Sequence, residues 1–245
     1  MAGSQAVIEI RQLFQLTDFE EVLHLQQAIW GFPDIELLPL RFLVVVSKVG
    51  GHVFGAYDDD MMVGFCFAIP GIKPSGRPYL HSHMLGVLPA YHNAGIGRRL
   101  KLTQREEALS RGIELIEWTF DPLEIKNAYF NMERLGAIVR RYVRNQYGTT
   151  TSRLHGGLPT DRCIAEWWVN SARVAEIVSG EVTARPPIEE RIEMPEICRD
   201  DPQRARALQA EIANRFEAAF GRGLAVVGVE RNPAGGTYLL GEWPQ

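Results

Sequence analysis

Two histidines separated by one residue, His81 and His83, are the side chains best suited to moving a proton. Residues 79–88 read as a strand, and side chains two apart on a strand share a face, so both rings are expected on one side. An imidazole titrates near pH 6.5, which suits it to taking a proton at neutral pH. A base there could take a proton from a reacting group. The same spacing also fits a pair of hydrogen-bonded structural histidines.

The strand holding them runs directly into Leu85-Gly86-Val87-Leu88-Pro89-Ala90-Tyr91-His92-Asn93-Ala94-Gly95-Ile96-Gly97-Arg98. A short loop with two glycines should open a helix at Gly97. Glycine permits unusual backbone angles and lets an anion approach the chain closely. The first turn of a helix offers unspent N–H groups and a partial positive charge. Together these features make a pyrophosphate cradle; a tight strand-to-helix turn explains the glycines equally well. A dinucleotide fingerprint needs a third glycine where Leu100 stands, and a P-loop needs Lys-Ser/Thr after the second glycine; both are excluded.

Several elements must position these groups. Residues 8–13 read as a first strand. Thr17 with Glu20 reads as a capping box opening a helix whose face carries Phe19, Leu23, Gln26 and Trp30. Gly31, Phe32 and Pro33 end it. Residues 39–49 are apolar and fit a helix or a strand. Residues 52–57 and 62–69 read as a hairpin around Asp58-Asp59-Asp60. The helix after the glycine loop, residues 97–111, has a poor apolar stripe and is stopped by Gly112. A strand over 113–120, a short helix over 127–135, and strands over 137–143 and 163–169 follow. The tail beyond residue 171 changes character. Residues 181–195 are rich in Pro, Glu and Arg. Asp201-Pro202 then caps a helix with the stripe Ala205, Leu208, Ile212, Phe216 and Ala219, and two strands surround a Pro-Ala-Gly-Gly turn.

Of the 245 residues, 46% are hydrophobic and 23% charged, as expected of a folded globular chain. The net charge of −4 argues against a general nucleic-acid binder. No apolar run approaches the roughly 20 residues of a membrane span, and MAGSQAVIEI carries no secretory pattern. Cys66, Cys163 and Cys198 are sparse and unpaired in sequence. They suggest a reducing, cytoplasmic setting without a zinc site, so no metal is expected.

The glycine loop resembles the coenzyme A loop of the GNAT superfamily of N-acyltransferases. That loop has a Val-x-Pro strand end followed by Arg or Gln, two residues, Gly, one residue, and Gly or Ala. Here Val87-Leu88-Pro89 and His92-Asn93-Ala94-Gly95-Ile96-Gly97 match, with His92 in place of Arg or Gln. Asn127 to Ala137, with its Leu135-Gly136 pair, is similar to the second GNAT signature. A Leu-Pro-Thr-Asp-Arg tract from Leu158 to Arg162 looks like that of a bacterial subgroup of predicted acetyltransferases. The resemblance implies an α/β (α+β) GNAT fold: a central mixed, mostly antiparallel sheet flanked by helices. It covers residues 8–170 in outline, which makes 1–170 an acyl-CoA-binding domain and leaves 171–245 as an extension with one helix and two to three strands.

The resemblance also implies acetyl-CoA or another acyl-CoA as co-substrate and a small-molecule amine or amino acid as acceptor, with a homodimer open. Leu85, Gly86, Val87 and the run from His92 to Arg98 (His92, Asn93, Ala94, Gly95, Ile96, Gly97, Arg98) would hold the cofactor. The Val87 N–H would polarise the thioester, and Asn127 and Asn131 would meet pantetheine amides; a helix cap and a surface polar residue explain the two asparagines equally well. The His81-Ser82-His83 strand resembles that of serotonin N-acetyltransferase, where the pair is implicated in deprotonating the amine. The tyrosine many members use as general acid is Met132 here, and Tyr129 nearby suits core packing. Asp161 and Arg162 fit either an amino-acid clamp or a structural turn. A GNAT-like module that binds acyl-CoA without turnover is the competing reading.

Overall fold

The computed structural model describes residues 7–148, 158–181, 184–195, 201–233 and 235–243. His155 and Cys198 lie outside them. The chain divides into two compact units, Met1–Ile116 and Glu117–Gln245.

The first unit runs β1 (Glu9–Gln12), α1 (Leu16–Trp30), α2 (Leu40–Lys48), β2 (His52–Asp58), β3 (Met61–Ile72), β4 (Pro78–Val87) and α3 (Ile96–Ser110). The four strands form an antiparallel meander in sequence order. The capping expectation for α1 is corrected. The helix begins at Leu16, and it is Asp18 whose carboxylate accepts from the Gln15 and Phe14 N–H groups at 3.0 and 3.3 Å. The ambiguous segment 39–49 is helical. Its valine run favours a strand locally, but Leu43 and Val46, one turn apart, are both fully buried, and tertiary packing overrides that local preference.

Successive β3 residues serve opposite faces. Phe65 and Phe67 pack with Phe19 and Val22 of α1 and with Leu43 and Val46 of α2. Cys66 and Val63 pack with Ile96 and Leu100 of α3. The sheet therefore carries α1 and α2 on one face and α3 on the other.

The division between the units falls inside β5 (Leu115–Phe120). The second unit continues with α4 (Ile125–Tyr129), a π turn over Phe130–Arg134, β6 (Ile138–Val143), β7 (Arg162–Trp168), α5 (Ala172–Ser179), β8 (Glu190–Pro195), α6 (Pro202–Gly221), β9 (Leu224–Asn232) and β10 (Gly235–Glu242). Its strand order is β5-β7-β6-β9-β10-β8. Gly136, at φ +80°, turns the chain out of the π turn, where any Cβ would also press on Val174 and Ile177 at 3.3 Å.

Beyond residue 171 the described residues hold two helices, where the sequence suggests one. The extra helix, α5, is capped by Ser171, whose Oγ accepts from the Val174 N–H at 3.3 Å. Strand β8 occupies the end of the Pro/Glu/Arg-rich stretch. Strand β9 pairs antiparallel with β6, so the tail's strands continue the order begun by β5, β7 and β6. Asp201 caps α6 by accepting from the Arg204 N–H at 3.0 Å. Phe216 of α6 is fully buried, stacked on Tyr142 at 5.7 Å and edge-on to Tyr238 at 5.0 Å. Phe216→Ala should therefore cost about 3–5 kcal/mol, read from the denaturant midpoint; a loss under about 1 kcal/mol would show α6 to be only loosely docked.

Candidate active site

Strand β4 carries His81 and His83 on the α1/α2 face. Their ring centroids lie 5.8 Å apart, and the His83 ring lies 5.4 Å from Phe67. The β3–β4 register pairs Ala68 with Ser82 and Phe67 with Met84, so His83 is the extra residue of a β-bulge. Such a bulge re-aims a side chain, and His83 is exposed while His81 is half-buried. Desolvation, then the neighbouring His83, Lys101 and Lys73, lower the His81 pKa to about 4. Partial desolvation also lowers that of His83. Both rings are therefore neutral at pH 7 and able to accept a proton.

Toward the end of β4, Leu88 N donates to Val63 O at 2.8 Å. Val87 and Gly64 thus form the adjacent non-bonded pair of the ladder, and the Val87 N–H is directed away from β3. Gly86 has a packing reason: a Cβ there would stand 2.7 Å from Trp30 and 2.8 Å from Ile29. Leu85 packs in the α3-side core.

A 3₁₀ turn over Pro89–Tyr91 leads to the loop. His92 Nε2 donates to the Val87 carbonyl at 2.9 Å, tying the loop back onto the strand end. Tyr91 donates to Asp58 Oδ2 at 2.6 Å, which gives the acidic hairpin turn a job. Arg99 donates to Ile8 O at 2.7 Å. Asn93 and Gly95 both take left-handed angles, φ +64° and +78°. Helix α3 starts from Gly95 with no side-chain cap and no acidic residue in its first turn. The first intrahelical bond is Arg99 N to Gly95 O, at 3.1 Å, so the N–H groups of Ile96, Gly97 and Arg98 have no partner within the helix. Asn93, Ala94 and Gly95 are exposed, and Ile96 turns inward to the core.

In the second unit, Asn127 is exposed on α4. Asn131 is buried in the π turn and its Oδ1 accepts from Trp118 Nε1 at 3.3 Å. Met132 is fully buried, and Tyr129 lies under the Arg231 guanidinium, 5.6 Å from ring centroid to charge. Asp161 accepts from Tyr142 Oη at 2.7 Å and from Asn145 N at 2.9 Å, and Arg162 donates to the Asp161 carbonyl at 2.9 Å. Those bonds make the Asp-Arg pair a brace at the ends of β6 and β7. Trp167 is core, with Nε1 on the Leu135 carbonyl at 2.6 Å.

Behind the histidines lies a buried polar group that no motif marks in the sequence. Ser82, between them, points to the α3 face, where Lys101 Nζ donates to its Oγ at 2.7 Å and that Oγ donates to Gln104 Oε1 at 2.9 Å. All three side chains are buried.

Residues 11–136, more than half of the chain, match the family model of the acetyltransferase (GNAT) family. The chain belongs to the GNAT acetyltransferase family. Solved structures agree on the fold. A Desulfovibrio desulfuricans protein assigned to the GNAT family superposes with a TM-score of 0.54 at 19% identity, covering 66% of this chain and 99% of that one. The ribosomal-protein-S18-alanine N-acetyltransferase of Escherichia coli gives 0.53 at 20%, covering 68% and 96%. The Salmonella typhimurium yncA protein, solved with acetyl-CoA as its cofactor, gives 0.53 at 16%, covering 67% and 96%. No curated protein matches the sequence. No helix among the described residues is long and apolar enough to cross a membrane.

The GNAT loop of this chain fits the pyrophosphate of a CoA thioester on its own geometry. The first turn of α3 opens without a side-chain cap beside exposed backbone, its leading N–H groups unused within the helix, and a Cβ at Gly97 would meet only Leu85, at 3.4 Å.

Proposed function

We propose that this GNAT protein transfers an acetyl or other short acyl group from acyl-CoA to the amine of a small molecule or amino acid, with His83 as the base. The observation that carries this reading is the neutral, bulged His83 on the strand that leads through the glycine loop into the uncapped start of α3. Bound acyl-CoA would supply the activated acyl thioester. The N–H groups of residues 93–98 would hold its pyrophosphate, and the Val87 N–H, directed away from β3, would face its carbonyl oxygen. Leu85 and Gly86 would flank it as strand backbone. His83 takes the proton of the incoming ammonium at an imidazole nitrogen. The resulting imidazolium then returns a proton to the departing sulfur, which accounts for the absence of a tyrosine at Met132. His81 acts beside it and assists through its own neutral ring.

The direct test is thiol release from acetyl-CoA against a panel of small amines and amino acids. Turnover with at least one of them is expected; acyl-CoA binding without release for any acceptor would favour the module that only binds acyl-CoA.

The pH dependence has a definite sign. A base works in its deprotonated form, so kcat should rise with pH through the His83 pKa. Desolvation holds that pKa below the ordinary 6.5, so the acid limb should lie below pH 6.5 and kcat should be independent of His83 ionisation at neutral pH. An acid limb centred above 7 that disappears in His83→Gln would overturn the neutral-histidine assignment.

A further inference from the structure

The inner face of α3 buries two groups that an ordinary amphipathic helix would not, Lys101 and Gln104. Lys101 is 4% exposed, and its ammonium meets Ser82 at 2.7 Å. Ser82 is the residue between the two histidines and precedes the bulge at His83. As a stabilising device this arrangement is poor. Desolvation lowers the Lys101 pKa to about 7, and Gln104 Nε2 is buried without a hydrogen-bond partner. A buried polar group left partly satisfied costs stability, and apolar residues commonly replace buried charges without loss. The placement therefore calls for a reason at the site.

We propose that Lys101 is a positioning residue for the histidine pair: through Ser82 it holds the β4 bulge that aims His83, and its charge opposes protonation of His81. The rate effect rests on the acyl-transfer reading above; the electrostatic effect does not. The other titratable groups around Lys101 and the pair are accounted for. Cys66, from β3, is buried and its thiol is pushed up to about 12, so it stays neutral. Glu107, further along α3, is engaged with His52 Nδ1 at 2.9 Å and with Arg111 at 2.8 Å. Lys73, after β3, adds to the charge opposing protonation of His81, and His83 is the remaining neighbour. Below pH 7, where His81 would gain its proton, Lys101 is charged.

The test uses K101M and S82A in the full chain, with NMR titration of the imidazoles in the ligand-free protein. In K101M the His81 titration should move upward by on the order of one pH unit, as loss of a nearby like charge requires. The acid limb of kcat, which His83 sets, should stay in place, and thermal stability should hold or increase. In S82A the charge remains, so the His81 titration should stay low while kcat falls severalfold and KM for acyl-CoA is unchanged. A folded K101M protein whose His81 titration is unmoved overturns the electrostatic role. Parent kcat in both variants overturns the positioning role. Should K101M fail to fold, K101Q removes the charge with a polar side chain. The NMR reading needs no turnover, so it stands apart from any failure of the base assignment.

Discussion

His83→Gln is expected to lower kcat by roughly 10²- to 10⁴-fold, the usual share of general acid–base catalysis. The lower end of that range is the better expectation, because a base whose pKa is held below 6.5 has less driving force for taking the proton. Glutamine keeps polarity and approximate length, so the β4 bulge and the contact with Phe67 should survive. Acyl-CoA affinity should hardly change, since the expected cofactor contacts are backbone groups of the β4 end and the following loop. His81→Gln should cost less. Its ring is half-buried, and its pKa of about 4 makes it a weaker acceptor than its neighbour. The outcome that sinks the assignment is a double variant retaining the parent turnover and pH profile. The amine would then arrive neutral and the protein would only position it, with the acyltransferase reading left standing.

Gly97→Val should weaken acyl-CoA binding on the order of a hundredfold, equivalent to about 2.7 kcal/mol, with little loss of stability. The two loop glycines differ in kind. Gly95 is at φ +78° with nothing within 4 Å of where a Cβ would stand, so valine there would strain the backbone itself. At Gly97 the backbone is helical and the added Cβ meets only Leu85 at 3.4 Å, so the fold should tolerate the branch. What the branch obstructs is close approach of a ligand to the first turn of α3. Calorimetry on the folded Gly97 variant decides the matter, and unchanged affinity would remove the pyrophosphate from this loop. The Gly95 variant serves as the comparison, losing stability as well as binding.

Much of the fold is legible in the sequence because local signals and packing agree. Asp201-Pro202 and the stripe ending at Ala219 mark α6 within a residue or two. The glycine loop marks the start of α3, because Gly95 supplies the left-handed angle from which the helix departs. Residues 39–49 are not legible. Their β-branched run and helical burial pattern point in opposite directions, and only packing decides between them. The cap of α1 is misread because Thr17 and Asp18 both satisfy the motif's chemistry, while the unpaired N–H groups of Phe14 and Gln15 that Asp18 serves are a property of the folded entry turn. The poor stripe of α3 is itself a signal. Its gaps are Lys101 and Gln104, which face inward to Ser82 rather than out to water. At the site, the proximity of the histidines follows from strand spacing. The bulge that exposes His83 and half-buries His81 depends on the β3 register, which the sequence does not display.

The pairing of β9 with β6 has a consequence for the shape of any shortened protein. A chain cut after residue 170 would keep β5, β6 and β7 but remove the strand that covers the free side of β6. The exposed row of N–H and C=O groups would run beside Val139, a fully buried residue in the intact fold. An uncovered strand of that kind is a template for another chain. Such a fragment should self-associate rather than persist as a smaller enzyme, so the tail acts as a stopper on an otherwise adhesive margin.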